Sequence, residues 1–271
     1  MSMARCVAAF SAFLLLCGAS ATAQTGKLTD DDLYRAETIV TGQGEPERLR
    51  GFRVGAEEAV VKLIGDALLI GGARITPILD HAADLVRDFT YEDRMKGIPV
   101  HDEQGTRDRP HYLRIRFDKA KFDAAMGDAK LKKWDGERPL IAVWLGIRDA
   151  RGAYVLSAEG PEGYGQREVL KEVSKKRGVP IMLPQPGQAA VTYEMIDKGD
   201  TGALQGQAEK LGATDLLYGT LDFDGDVAWN TRWTVSAGRA QAMWSMKGVT
   251  FDAALKGAIE RGAAELARAA N

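Results

Sequence analysis

The feature that most constrains the fold is an apolar run at residues 140–147, inside the stretch 134–148 that reads WDGERPLIAVWLGIR. Polar and turn-forming residues precede the run, and only Gly146 interrupts it. An apolar run of this length, bounded by turn signals, is typical of a strand that is buried on both faces. The run contains no nucleophile, acid or metal ligand, so it predicts architecture and no chemistry.

The pattern on either side of this run predicts an α/β (α+β) fold of two small domains, each a mixed sheet with helices packed on it. The first domain, residues 24–130, has the predicted order β-α-α-β-β-α, and the second, residues 131–271, the order β-α-β-α-β-β-β-α. Besides the central run, strands are predicted at residues 33–40, 86–93, 111–117, 181–184, 215–223, 227–235 and 240–247. Helices are predicted at residues 45–65, 76–85, 162–176, 201–211 and 250–269, with a short one after Asp118.

The first 23 residues contain the three parts of a secretory signal peptide. Arg5 supplies a positive charge, residues 7–16 form an apolar segment, and Ala21-Thr22-Ala23 is a cleavage site of small residues. We therefore predict cleavage after Ala23 and a periplasmic location. No later stretch contains the ~20 consecutive apolar residues of a membrane-spanning helix, so the mature chain is expected to have no transmembrane segment.

Both cysteines of the chain, Cys6 and Cys17, lie in this segment. A lipoprotein signal using Cys17 is the alternative, but Leu16 stands where a small residue is expected. After cleavage the chain keeps no thiol for a disulfide, for thiol catalysis or for a cysteine zinc site. Losing Arg5 reduces the 36 basic side chains by one, against 38 acidic ones. This acidic balance argues against nucleic acid as a partner.

Several segments resemble the bacterial family called domain of unknown function 2066. The resemblance rests on the predicted first strand with its following helix, on WDGERPLIAVWL, on RGVPIMLP at residues 177–184, on GATDLLYGTL at residues 212–221, and on Trp229 with Trp233. It implies an exported envelope protein of unknown activity. GATDLLYGTL is also similar, more distantly, to a strand of small envelope α/β domains such as the amino-terminal domain of TolB and the curli-secretion lipoprotein family. That similarity implies protein binding rather than catalysis, by analogy of fold alone.

The residue types that usually carry catalysis show no spacing typical of a site. The three histidines, His81, His101 and His111, have neither HExxH nor HxH spacing, so structural or solvated roles are favoured. The serines lack the Gly-x-Ser-x-Gly pattern of a nucleophile elbow. The sequence therefore predicts no catalytic, cofactor-binding or metal-binding residue.

Two further patterns superficially indicate ion or phosphate sites. Asp222, Asp224 and Asp226 resemble the start of a calcium loop, but its twelfth position would be Trp233, so a hairpin turn is favoured. The glycines at residues 160–165 precede a helix without the spacing of a phosphate-binding loop, and a flexible loop is the better interpretation.

The strongest candidate for an interaction surface is a set of three tryptophans: Trp229, Trp233 and Trp244. If Ala237 and Gly238 form a two-residue turn, Trp244 lies opposite Thr231 and all three indoles share one face of the hairpin. That face is favoured to be core beneath the last helix, since large aromatic side chains usually pack inside. The alternative is an exposed platform for a glycan, a peptide or a partner protein.

These observations favour a cofactor-free, non-enzymatic binding or assembly accessory of the bacterial cell envelope. Its partner would be another envelope protein or a cell-wall component. The alternative is a periplasmic hydrolase whose Asp, His or Ser groups meet only in the fold. That alternative requires a deep cleft in which at least two titratable groups lie within hydrogen-bond reach.

Overall fold

A computed structural model describes residues 28–98, 108–237 and 240–271. The predicted signal peptide, its cleavage site after Ala23, His101 and Gly238 lie outside these residues. The described chain has the predicted α/β architecture, with helices packed on two separate sheets. None of its described helices is long and apolar enough to cross a membrane.

The first unit contains a three-stranded sheet with the strand order β1-β3-β2. Its elements are α1 (Asp30–Leu33), β1 (Arg35–Thr41), α2 (Glu45–Ile64), α3 (Thr76–Asp80), α4 (Ala82–Leu85), β2 (Val86–Asp93), β3 (Pro110–Phe117) and α5 (Lys119–Asp128). Both outer strands pair antiparallel with β3, so this sheet is antiparallel rather than mixed. As predicted, Leu113, Ile115 and Phe117 point inward, and Asp118 caps α5 by accepting from the Lys121 N–H.

The second unit contains a mixed sheet with the order β5-β4-β7-β8-β9, in which β6 also pairs with β4. Its elements are β4 (Ile141–Asp149), β5 (Gly152–Val155), α6 (Tyr164–Arg177), β6 (Ile181–Met182), α7 (Tyr193–Lys198), α8 (Thr201–Lys210), β7 (Asp215–Phe223), β8 (Trp229–Ala237), β9 (Ala240–Val249) and α9 (Phe251–Ala270). β4 and β7 are parallel, and the last three strands form antiparallel hairpins.

The strand that the apolar run predicts is β4, and it is buried on both faces. Val143 and Leu145 on one face pack into the core shared with α6 and α9. Ala142 and Trp144 on the other face pack against α7 and α8. Because β4 has helices above and below, every residue from Ile141 to Ile147 is excluded from solvent.

A short linker joins the two units through contacts at the end of α2. The Trp134 N–H donates to the Leu63 carbonyl at 2.8 Å, and Arg138 Nη2 donates to the Lys62 carbonyl at 2.8 Å. The Arg138 guanidinium also lies 3.9 Å from the centre of the Trp134 ring. These contacts and the packing of α6 on α2 create the cleft described below.

Several local predictions differ from the structure, among them the strands predicted at residues 181–184 and 227–235, which are 181–182 and 229–237. The strand predicted from residue 33 begins at Arg35, because Thr29 and Asp32 form a capping box that makes Asp30–Leu33 helical. The helix predicted at residues 76–85 is two helices that break at His81, where φ is −104° and ψ is 18°. Thr76 is its first helical residue and not its cap. β5 and α7 were not predicted, since such short elements show little hydrophobic periodicity.

The register of the last hairpin also differs from the prediction. Ala237 pairs with Ala240, so Trp244 lies opposite Trp233 rather than opposite Thr231. The error is two residues, which leaves every side chain on its predicted face because the side-chain period of a strand is two.

Candidate functional site

The three candidate tryptophans share one face of the β8–β9 hairpin, beneath α9. Trp233 is 1% exposed and Trp244 is 9% exposed, and both belong to the core that includes Leu255 and Ile259 of α9. Trp229 is partly buried against the same core. This burial favours the interpretation of the face as core, and it leaves little aromatic surface there for a ligand.

The described histidines and aspartates that were weighed as candidates for chemistry lie in separate parts of the structure. The exposed His81 imidazole, at the break between α3 and α4, lies 3.3 Å from the exposed Asp84 carboxylate, and His111 contacts the Gln43 amide and the Arg109 carbonyl. Asp224 accepts from the N–H groups of two following residues and so closes the β7–β8 turn. Among the described residues, no group of three or more His, Cys, Asp or Glu side chains could hold a metal ion.

No pattern in the sequence indicated a cluster at the carboxyl ends of the parallel strands β4 and β7, where Tyr193 is buried, Asp222 is partly buried and Arg148 is exposed. The Tyr193 hydroxyl donates to Asp222 Oδ1 at 2.5 Å, and the Arg148 guanidinium lies 4.2 Å from the Tyr193 ring centre. Burial, followed by the hydrogen bond to Asp222, raises the pKa of Tyr193 well above its usual value. Tyr193 therefore stays protonated at neutral pH and cannot act there as a base.

A second tyrosine in the first unit has the same arrangement. Tyr34 is buried and donates to Asp123 Oδ1 at 2.6 Å, and burial is the main reason why its pKa is raised. A tyrosine whose pKa is higher in the folded than in the unfolded chain adds to the free energy of unfolding. This contribution is complete at any pH below about 10, the ordinary pKa of tyrosine. That stability is lost as the pH rises further, because the unfolded chain then binds fewer protons than the folded chain.

We expect the free energy of unfolding to fall above about pH 10, by about 1.4 kcal/mol per pH unit for each of these two tyrosines. Tyr193→Phe should remove one of the two contributions and reduce the slope. Urea unfolding at a series of alkaline pH values measures this slope of the unfolding free energy against pH. Tyr164→Phe, at a tyrosine that is 70% exposed, is the control. An unchanged slope in Tyr193→Phe would contradict the raised pKa of Tyr193 in the folded protein.

A candidate binding surface among the described residues is a cleft of about 620 Å³ between the first unit and α6. One wall comes from β1, α2 and the loop that follows α2, and it carries three exposed apolar side chains: Ile39 (46% exposed), Val54 (43%) and Ile70 (41%). The opposite wall is the last part of α6, which carries Lys175 and Lys176. Apolar side chains in a concave surface with a polar rim are typical of a protein-binding site.

The charged side chains around this cleft balance one another. Among the described lining residues, four are cationic (Arg94, Lys175, Lys176 and Arg177) and four are anionic (Glu37, Glu57, Glu58 and Glu172). Several are already paired: Lys176 with Glu172 at 2.6 Å, Arg177 with Glu260, and Glu58 with the buried Lys62 at 2.6 Å. The cleft therefore offers apolar contact with little net charge.

Residues 28–135 match a family model described as a domain of unknown function (DUF8605). The matched segment contains the first sheet, α2 and Trp134, so it supplies the apolar wall of the cleft, while α6 lies outside it. A search of curated proteins finds no match to the chain. These comparisons support a domain of unknown function, and they do not confirm the resemblance to the domain of unknown function 2066 or to the TolB domain.

Proposed function

We propose that the chain is an exported, non-enzymatic accessory that binds an apolar segment of another envelope protein in the cleft between its first unit and α6. The observation that carries the proposal is the convergence of Ile39, Val54 and Ile70 on one concave surface. These residues come from a strand, a helix and a loop, and each leaves more than a third of its side chain in water. Covering them would remove apolar surface from water, at a gain of about 25 cal/mol per Å².

The balanced charge of the cleft makes a second property of this binding testable. Binding that depends on attraction between net charges weakens steeply with salt, whereas burial of apolar surface does not. The partner's affinity for this cleft is therefore expected to change little between about 0.05 and 0.5 M salt, a range over which surface charges become strongly screened.

Site-specific photocrosslinking in living cells tests the proposal. A photoreactive residue at Ile39 or Val54 should give a defined adduct with an envelope protein, and the same residue at Val227 should not. Val227 is the matched control, since it is 78% exposed but lies in the β7–β8 turn, outside the cleft lining. Equal adducts at Val227, or no adduct at either cleft position, would refute binding in the cleft.

We expect Val54→Asp to reduce capture of that partner at least about tenfold, which corresponds to about 1.4 kcal/mol. The new carboxylate would have to lose its water when the apolar segment docks. Val54 is 43% exposed in the free protein, so the fold should tolerate the change. Binding to the purified partner measures the effect, with Val227→Asp as the control, and equal affinities for the two variants would count against the site.

Osmotic-shock fractionation and sequencing of the mature amino terminus test the proposed location. The expected result is a periplasmic protein that begins at Gln24. A chain that stays in the cytosol with residues 1–23 attached would contradict export. If each molecule of the purified protein hydrolysed many molecules of a cell-wall or peptide substrate, the hydrolase alternative would be favoured instead.

A further inference from the structure

Four of the five outer strands in the described part of the two sheets carry features that discourage pairing with another chain. β1 and β2 contain charged side chains, and β5 and β6 are only four and two residues long. On β1, moreover, the outward Ile39 and Arg35 carbonyls accept from Arg50 and Lys62 of α2. Charges, short length and covered backbone groups are the usual protections of an edge strand.

Up to Met246, β9 shows none of these protections among the described residues, and its one charged residue, Lys247, follows that point. Its residues 240–246 read AQAMWSM, which contains no charge and no proline, and its ladder with β8 is regular up to Met246. The ladder becomes irregular beyond that point, where Gly248 has φ +65° and donates to the Asn230 side chain. Met243, in the centre of the regular segment, is 72% exposed.

The hairpin register fixes which backbone groups of β9 point away from β8. Ala237 and Ala240 close the hairpin as a hydrogen-bonded pair, so Ala242, Trp244 and Met246 also bond to β8. The N–H and C=O groups of the intervening residues, Gln241, Met243 and Ser245, point outward. No hydrogen bond from a described residue reaches these backbone groups.

We propose that this edge pairs with the same edge of a second copy of the chain, antiparallel and centred on Met243. In that register Met243 faces Met243 of the second copy, and Gln241 faces its Ser245. All three outward residues of each copy then form hydrogen-bonded pairs, about six backbone hydrogen bonds in total. The two five-strand paths would join into one continuous sheet.

The side chains of this segment support a second copy as the occupant. On the face toward α9, the register places the small Ala242 opposite the large Trp244 of the other copy, and Ala240 opposite Met246. Side chains directly opposite each other in an antiparallel pair lie within contact distance, so each small alanine leaves room for the large side chain of the other copy. The segment has no charge that would select a differently charged partner. Antiparallel pairing also keeps the two Lys247 side chains at opposite ends, whereas parallel pairing would place them side by side.

The pairing goes beyond the proposed binding function and does not use the cleft, whose described lining comes from β1, β3, α2, α6 and loops of the first unit.

Light scattering of the purified chain over a concentration series tests the pairing of two copies, and we expect a dimer at micromolar concentrations. Met243→Lys places two like charges opposite each other and should raise the dimer Kd at least about tenfold. Met243→Gln, of similar length and uncharged, should leave the dimer intact.

Disulfide trapping tests the register itself. Met243→Cys, in a chain whose Cys6 and Cys17 are replaced by serine, should oxidise readily to a covalent dimer. Cα atoms of a hydrogen-bonded antiparallel pair lie about 5.5 Å apart, within the range that a disulfide spans. Val227→Cys is the equally exposed control and should crosslink only slowly. If the chain stays monomeric up to about 0.1 mM, the proposal is overturned. The same holds if the chain is monomeric and its β9 edge binds a different protein instead. Equal crosslinking of the two cysteine variants would also overturn the proposal.

Discussion

Replacing Gly219 by alanine is expected to lower the free energy of unfolding by about 3 kcal/mol or more. Gly219 lies in the middle of β7, where the Trp233 indole of β8 crosses directly over its backbone. An added Cβ would lie 2.3 Å from the Arg232 carbonyl oxygen and 2.6 Å from Trp233 Cε3. β8 cannot move away cheaply, because it is paired with β7 on one side and β9 on the other.

Urea unfolding of the purified Gly219→Ala variant measures this loss. The matched control is Gly206→Ala in α8, where nothing lies within 4 Å of the added Cβ. That control should stabilise the protein by up to about 1 kcal/mol, since alanine favours a helix over glycine. A loss below about 1 kcal/mol in Gly219→Ala would mean that β8 and the Trp233 ring shift more easily than close packing allows.

Trp144→Ala is expected to cost about 4 kcal/mol. Trp144 has no exposed surface, and it is the largest side chain in the core between β4 and the helices α7 and α8. Its indole N–H donates to the Leu204 carbonyl of α8 at 3.1 Å, so the ring both fills the core and fixes the helix on the sheet. Alanine would leave a cavity and remove that hydrogen bond.

Trp144→Phe separates the two contributions. Phenylalanine keeps most of the volume but cannot donate, so we expect a smaller loss of about 1–2 kcal/mol. Chemical denaturation of both variants, with Val227→Ala as a surface control, gives the comparison. If alanine and phenylalanine cost the same, the hydrogen bond to Leu204 would dominate and the packing argument would fail.

The elements that could be predicted from the sequence are those with a strong local pattern. β2 and β7 have the predicted bounds, and α2 ends just before Gly65, as its apolar spacing indicates. Alternation also predicted which side chains of β3 point inward. Each of these patterns is complete within about 20 consecutive residues, because the buried face of one element repeats at a fixed interval.

The candidate site could not be predicted in this way. Ile39, Val54 and Ile70 have no common spacing, and each alone is an ordinary apolar residue. They meet because α2 packs on β1, and the cleft closes only where α6, more than 100 residues later in the chain, packs against α2. The Tyr193–Asp222 pair was missed for the same reason, since 29 residues separate its members.

The sequence by itself determined the α/β class, the doubly buried strand β4 and the face that each residue of the last hairpin presents, because these properties depend on local periodicity and on which residues avoid water. Only the tertiary structure decided that the tryptophan face is covered by α9, that Trp244 pairs with Trp233, and that no other described strand pairs with the outer edge of β9. Those outcomes depend on contacts between segments far apart in the chain, whose geometry no local pattern specifies.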